Sequence, residues 1–510
     1  MEIHSSTPTN AAAISLFDAD GKGLVQLTSS FCVPSADLLN IDQVPDNLET
    51  RQGRPDHAME SDLKIVTTNP PEFHFQWIGR PHLRQEWLDV NHKILRRDKY
   101  DRKASFMELY YDLIFVGVIA LLGHSVRLQA TLSVSFFVEF IACFHIWMET
   151  VFFLNRFDNE DGLSRILILL IMVGVVGMGI MGQSTNFRNG FGYAISFMWA
   201  RTVIELMHLI ALIIPTVRNF VLLRQAFFLF VQIFWISSLW APSELVRLVL
   251  QFCGVGVGYV APIIMSSLPR KFRIAIPLNL EHVVERFSLF SIIIIGETIV
   301  AIFFVESGYY IVNEYATTLL GLLLSFCLQW IFFDLENGHH GDKLEQHAFS
   351  RGWQSFIWIF SHIPADFAII CLAAGVWNVH QAYKRIEVVS INNSSCPQNI
   401  TEPYLDPCNL DPFLYGRWIL CVGAAASLLF ISLNGAMHKR NGSGKIFSFK
   451  AIIRVVAVVV LGLIPLAGDT MSPLAYLGVC CGIYCAIVAV GLAHRKMLVK
   501  VGEKMVVNAL

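Results

Sequence analysis

Charge is scarce in this chain: 15% of its 510 residues are Asp, Glu, Lys or Arg, against 54% hydrophobic. A soluble globular domain carries about 25% charged residues, so a soluble multidomain protein is excluded. The formal net charge of -2 leaves no basic excess with which to hold nucleic acid. Metal-site spacing is also missing, because none of the eleven cysteines forms a C-x-x-C pair or joins histidines at zinc spacing. No Gly-Lys-Thr follows a glycine-rich turn, and the Ser/His/Asp and H-E-x-x-H patterns of hydrolases and zinc proteases are absent. Neither a cofactor nor a metal is expected. The first residues lack a basic run followed by an apolar stretch, so the first membrane span is expected to act as the targeting signal.

Long apolar runs are what the chain has in abundance. Runs near 20 residues can cross a bilayer as helices. Twelve are expected, at about 106–125, 131–154, 163–182, 191–214, 219–240, 244–266, 284–305, 314–334, 353–378, 413–434, 448–467 and 473–494. The fold class is therefore all-α, a polytopic transmembrane helical bundle. Residues 1–83 are polar throughout and read as a disordered cytoplasmic tail. Residues 84–103 form a basic juxtamembrane segment. There Leu83, Trp87, Val90, Ile94 and Leu95 recur at helical spacing, which fits an amphipathic helix on the membrane surface or a solvated basic stretch. Residues 104–495 make the transmembrane domain, and 496–510 a second cytoplasmic tail.

Basic residues set the expected orientation. Lys93, Arg96, Arg97, Lys99, Arg102 and Lys103 precede the first span, which places both termini in the cytoplasm if twelve helices alternate. The connection 379–412 then faces the lumen or the exterior. It carries glycosylation sequons at Asn392, Asn393 and Asn399 and a cysteine pair, Cys396 and Cys408, expected to form a disulfide. Plasma membrane and endomembrane both remain open. Spans 1 and 7 open similarly, at Glu108-Leu-Tyr-Tyr and Glu285-Arg-Phe-Ser, and spans 2 and 8 end in aromatic clusters. A six-helix repeat about an axis along the membrane normal would explain both likenesses.

An ionisable group in the lipid span costs about 2.5–3.5 kcal/mol on insertion scales, so such groups face the bundle interior and are functional candidates. Glu108 and Asp112 share a face of helix 1, and His124 lies near its other end. Helix 2 carries His145 and Glu149, and helix 4 carries Arg201, Glu205 and His208. Glu297 lies in the Ile-rich run of helix 7, beside Gly296. His362 and Asp366, spaced i, i+4 around Pro364, could pass a proton. Each has a structural alternative. Arg201 with Glu205, and Glu285 with Arg286, can be ion pairs that only fix packing, and an isolated His can be a hydrogen-bonding strut.

Several segments resemble the low temperature requirement A family. They are Phe106-Met-Glu-Leu-Tyr-Tyr-Asp-Leu-Ile-Phe-Val116 with Gly123-His124, then Asn155-Arg-Phe-Asp158, Glu281-His-Val-Val-Glu-Arg-Phe287, Ile295-Gly-Glu-Thr-Ile-Val-Ala301 and Ser361-His-Ile-Pro364. The long polar N-terminus and the sequon-bearing loop depart from the compact bacterial pattern and point to a eukaryotic, fungal member. The resemblance implies an all-helical membrane protein and points to Glu108, Asp112, His124, Glu285, Arg286, Glu297 and His362, without implying a reaction.

Three function classes follow. The leading one is a cation- or proton-linked transporter or channel-like protein. An acidic vestibule of Glu108, Asp112, Glu149 and Glu285 would lead to a midplane site of Glu205, Glu297, His362 and Asp366. The others are an intramembrane enzyme for a lipophilic substrate and a non-catalytic scaffold or sensor. The expected partners are the lipid bilayer and a small substrate or cation.

Overall fold

The computed structural model describes residues 64–68, 76–79, 81–87, 94–98, 103–129, 134–158, 161–182, 187–267, 276–303, 311–336, 352–391, 413–437 and 449–509. Twelve helices among them are long and apolar enough to cross a membrane. They are α1 (Phe106–Gln129), α2 (Val134–Arg156), α3 (Gly162–Gly182), α4 (Phe187–Ile210), α5 (Arg218–Ser238) and α6 (Glu244–Ser267), followed by α7 (Leu280–Phe303), α8 (Ile311–Glu336), α9 (Gly352–Ile391), α10 (Leu414–Met437), α11 (Phe449–Leu463, whose span the 3-10 stretch Ile464–Thr470 carries on to Gly468) and α12 (Pro473–Ala509). The apolar spans fall within a few residues of the expected ones, because a run that must bury every backbone polar group in lipid has to be a helix.

The first six helices and the last six pack alike. Contacts of α1 with α3, α3 with α4, α2 with α4, α2 with α6, α4 with α5 and α5 with α6 all recur six helices later. The glycine-lined pairs recur with them. A Cβ on Gly174 of α3 would fall 2.8 Å from Ala200 Cβ of α4, and one on Gly423 of α10 would fall 2.7 Å from the Leu372 nitrogen of α9. Small residues let helix backbones approach closely in lipid, where no hydrophobic force draws helices together.

One helix of the first half is almost wholly enclosed. Of the apolar span of α2, 89% is buried, against 22% for α5 and for α11. Helix α2 is therefore a core element touching α3, α4, α6, α7 and α9, while α5 and α11 turn a broad face to lipid. The halves meet along α1 and α7, which pack directly and run in parallel. Glu108 reaches His282 and Asp112 reaches Arg286, each pair separated by 174 residues. Gly123 meets Glu297 at the same offset further along.

Two expectations change. The 84–103 segment, read as an amphipathic helix or a solvated basic stretch, contains strands among its described residues: β3 (Glu86–Trp87) pairs antiparallel with β4 (Ile94–Asp98), and β4 pairs parallel with β1 (Lys64–Thr68). Residues 76–79 and 81–87 are also built into the fold: β2 (His82–Leu83) pairs with β5 (Phe157–Asp158) just after α2. A short apolar run fits a period of 2 as well as 3.6, and pairing with a distant strand decided the outcome. The second change is that α9 runs through Pro364 to Ile391, so the connection expected from 379 is helical at its start. The sequons at Asn392, Asn393 and Asn399 and the Cys396–Cys408 pair lie outside the described residues.

Candidate functional site

The N-terminal ends of α1 and α7 build the first polar cluster. Ser105 caps α1: its hydroxyl accepts from the Glu108 N–H at 3.3 Å, and the Glu108 carboxylate accepts from the Ser105 N–H at 2.9 Å. This reciprocal box aims the Glu108 carboxylate at the start of its own helix. Asn279 caps α7, its side-chain oxygen accepting from the His282 N–H at 3.3 Å. From α2, Asn155 accepts from the Asn279 N–H at 2.9 Å and donates to the Asn279 carbonyl at 2.9 Å. The second N–H of that amide faces His282 Nδ1 at 3.0 Å, so Nδ1 accepts. His282 Nε2 then carries the proton and donates to Glu108 Oε2 at 3.1 Å. One asparagine thus sets the tautomer of an inter-half imidazole.

One turn deeper, Asp112 Oδ1 accepts from Arg286 at 2.7 Å and from Trp147 Nε1 of α2 at 2.9 Å. Asp112 Oδ2 and two of the guanidinium nitrogens, Nε and Nη1, are buried without a hydrogen-bond partner. Arg286 turns away from its sequence neighbour Glu285, so the expected Glu285–Arg286 pair gives way to one between the two halves.

The second cluster belongs to the first half alone. Arg201 and Glu205 form the expected pair on α4 at 2.8 Å. They do not stand by themselves. Glu149 of α2 lies 3.3 Å from Arg201, and Arg224 of α5 bonds Glu149 directly and Glu205 at 2.7 Å. Gln225 donates to Glu205 at 2.9 Å. Two acids and two arginines, all buried, cancel within one knot. Sequence reading passes over Arg224, although an arginine seven residues into an apolar helix is the same signal that marks Arg201. Trp147, Asn155, His282 and Ser291 are also additions, and no periodicity within one helix could have shown which partner each would meet.

The remaining candidates lie along α7 and α9. The Glu297 carboxylate rests against Gly123, where a Cβ would fall 2.8 Å from Oε1. The glycine that makes room for it is Gly123, since a Cβ on Gly296 would meet nothing within 4 Å. His124 is exposed on α1. His362 donates from Nδ1 to the Trp358 carbonyl at 2.8 Å and sits edge-on to Phe287 and Trp358. Asp366 accepts from the Ser291 hydroxyl of α7 at 3.0 Å, so the imidazole and the carboxyl do not share a hydrogen bond. Buried Asp366 has that hydroxyl and no cationic side chain as partner among the described residues. His145 is no strut either: both ring nitrogens are buried without a partner, with Tyr259 edge-on and Gly258 beneath Nε2.

The sites therefore divide by compensation. Glu108 and Asp112 are answered by His282 and Arg286, and Glu149 and Glu205 by Arg201 and Arg224. Asp112, Glu149 and Glu205 are closed into ion pairs with arginines, and Glu108 accepts a hydrogen bond from the neutral His282 imidazole. Among the described residues no group of three or more His, Cys, Asp or Glu has the geometry to hold a metal ion.

No solved structure matches the chain. A protein of Rhizobium meliloti (strain 1021), described as uncharacterized protein RA0937, is 26% identical over 298 residues, covering 55% of this chain and 71% of that protein. Residues 103–491, from the start of α1 into α12, match the family described as bacterial low temperature requirement A protein. The chain belongs to the low temperature requirement A family of multi-pass membrane proteins.

Proposed function

We propose that the protein moves protons or small cations across the membrane between its two six-helix halves, with Asp366 as the carboxyl that takes the cargo. One observation carries this reading. Asp366 is buried on α9 with a hydroxyl from Ser291 and no cationic side chain to balance it among the described residues. An isolated carboxylate in an apolar interior is too costly to persist, so such a group holds a proton or a bound cation. Glu297 is assigned to the same path, further along α7, where Gly123 opens space on α1. The cross-half pairs Glu108–His282 and Asp112–Arg286 then act as contacts that hold one end of the seam together. Both termini are assigned to the cytoplasm on the excess of Lys and Arg before α1.

The test is flux into proteoliposomes, read with a pH-sensitive dye and a panel of cations. The wild-type protein should dissipate an imposed gradient, and Asp366→Asn, which keeps the shape and the Ser291 hydrogen bond, should abolish flux in a protein that still folds. Glu297→Gln should lower it strongly. Full flux from Asp366→Asn at every pH would overturn the assignment, and no flux for any ion from wild type would overturn transport. In the latter case, conversion of a lipid without a gradient would point to an enzyme.

A further inference from the structure

The segment before the first membrane helix is fastened to the start of α3. The first N–H groups of a helix have no partner within it. In α3 the Gly162 N–H donates to the Gln76 carbonyl and the Leu163 N–H to the Trp77 carbonyl, both at 3.0 Å. Asp161 closes the same end twice, accepting from the Ser164 N–H at 3.0 Å and from the Gly79 N–H at 2.8 Å. Further along, the Arg84 N–H donates to the Arg156 carbonyl at 3.1 Å, and β2 pairs with β5. Residues 76–79 and 81–84 thus strap the connection between α2 and α3.

The strap carries two large apolar side chains facing outward: Trp77 is 72% exposed and Ile78 76%. Their height is fixed by what they are tied to. The outward face of α3 is a stripe of Ile166, Leu169, Val173, Val176 and Ile180, all exposed and spaced by alternate threes and fours. One turn before Ile166 the stripe reaches Gly162, which has no side chain. The Trp77 ring lies over that glycine, where a Cβ would fall 2.7 Å from the ring. Trp77 therefore occupies the position on the lipid-facing stripe that α3 leaves blank, at the end where the apolar span begins.

We propose that Trp77 and Ile78 insert into the headgroup–acyl boundary of the bilayer, so that the strap clamps the α2–α3 turn and binds the lipid interface at once. Tryptophan favours this depth because one edge of the indole is apolar and its N–H needs a polar partner. The surface is continuous with the lipid-facing stripe of α3, and that continuity selects lipid over a protein partner.

The test reads depth. The full chain is reconstituted in phosphatidylcholine vesicles, and the emission of Trp77 is taken as wild type minus Trp77→Phe, since the chain has 11 tryptophans. Lipids brominated near the headgroup should quench this difference signal more than about twofold better than lipids brominated deep in the chains, as for an interfacial indole. Aqueous iodide should quench it weakly. Dominant iodide quenching would show a strap in water, dominant deep-bromine quenching would show burial in the hydrocarbon, and either overturns the proposal. Because Trp77→Phe exchanges the indole over Gly162 for a smaller ring, a second reporter, Ile78→Trp in the Trp77→Phe background, should give the same ordering one residue along.

Discussion

The two halves share a helix layout but fill it differently. In the first, α2, α4 and α5 are tied by four buried charges, Glu149, Arg201, Glu205 and Arg224. In the second, neutral contacts join α10 to α9 and α12, beside buried Arg417 on α10 and Arg454 on α11. The Ser427 hydroxyl lies 2.8 Å from the Tyr484 hydroxyl, Ser361 is hydrogen-bonded to Asn434, and the Cys421 and Cys480 sulfurs lie 3.9 Å apart. A buried charge is expensive to expose to lipid alone but specific in its partners, whereas hydroxyls, thiols and glycines tolerate small displacements. On the transport reading proposed above, the first half would serve as a frame and the second, with Asp366 on α9, as the half whose helices shift.

Breaking the frame should give the largest effect. Arg224→Met leaves two carboxylates against a single arginine and should destabilise the protein by about 3–5 kcal/mol. Unfolding followed by the labelling rate of buried thiols would measure it. Glu149→Gln added to that variant should restore part of the loss, and no recovery would mean that the knot is not a balanced unit. The second half should be most sensitive to shape. Gly423→Val places new atoms against the α9 backbone and should cost at least ~1–3 kcal/mol. At the seam, Asn155→Ala removes the amide that sets the His282 tautomer and leaves buried groups unsatisfied, at about 1–3 kcal/mol. The smallest effect should come from Ser427→Ala, about 1 kcal/mol. If Ser427→Ala proved as damaging as Arg224→Met, the contrast between the halves would fail.

How much of this could be seen in the sequence depended on range. The twelve spans were legible because lipid demands a fixed length of apolar helix, and so was the Arg201–Glu205 pair, which is local to one turn. The i, i+4 spacing of His362 and Asp366 promised a pair of the same kind. Yet each side chain found a nearer partner, the Trp358 carbonyl in one case and Ser291 of another helix in the other. Arg224 shows the general reason. Its partner Glu149 is 75 residues away, and periodicity reports which face of a helix is polar without reporting which faces meet. The same gap hid Arg286 with Asp112 and the pairing of β1 with β4.

The enclosure of α2 has a consequence for how the chain is made. Glu149 enters the membrane well before its partners exist: Arg201 follows 52 residues later and Arg224 75 residues later. At a synthesis rate of about 5–20 residues per second, Arg224 arrives roughly 4–15 s after the acid it neutralises. Until Arg201 follows, α2 is a nascent helix carrying an unanswered carboxyl, which lipid tolerates only when it is protonated or kept beside water. The helix that ends most deeply enclosed is thus one that must be held at the insertion machinery, and the charge knot of the first half closes only when α5 is delivered.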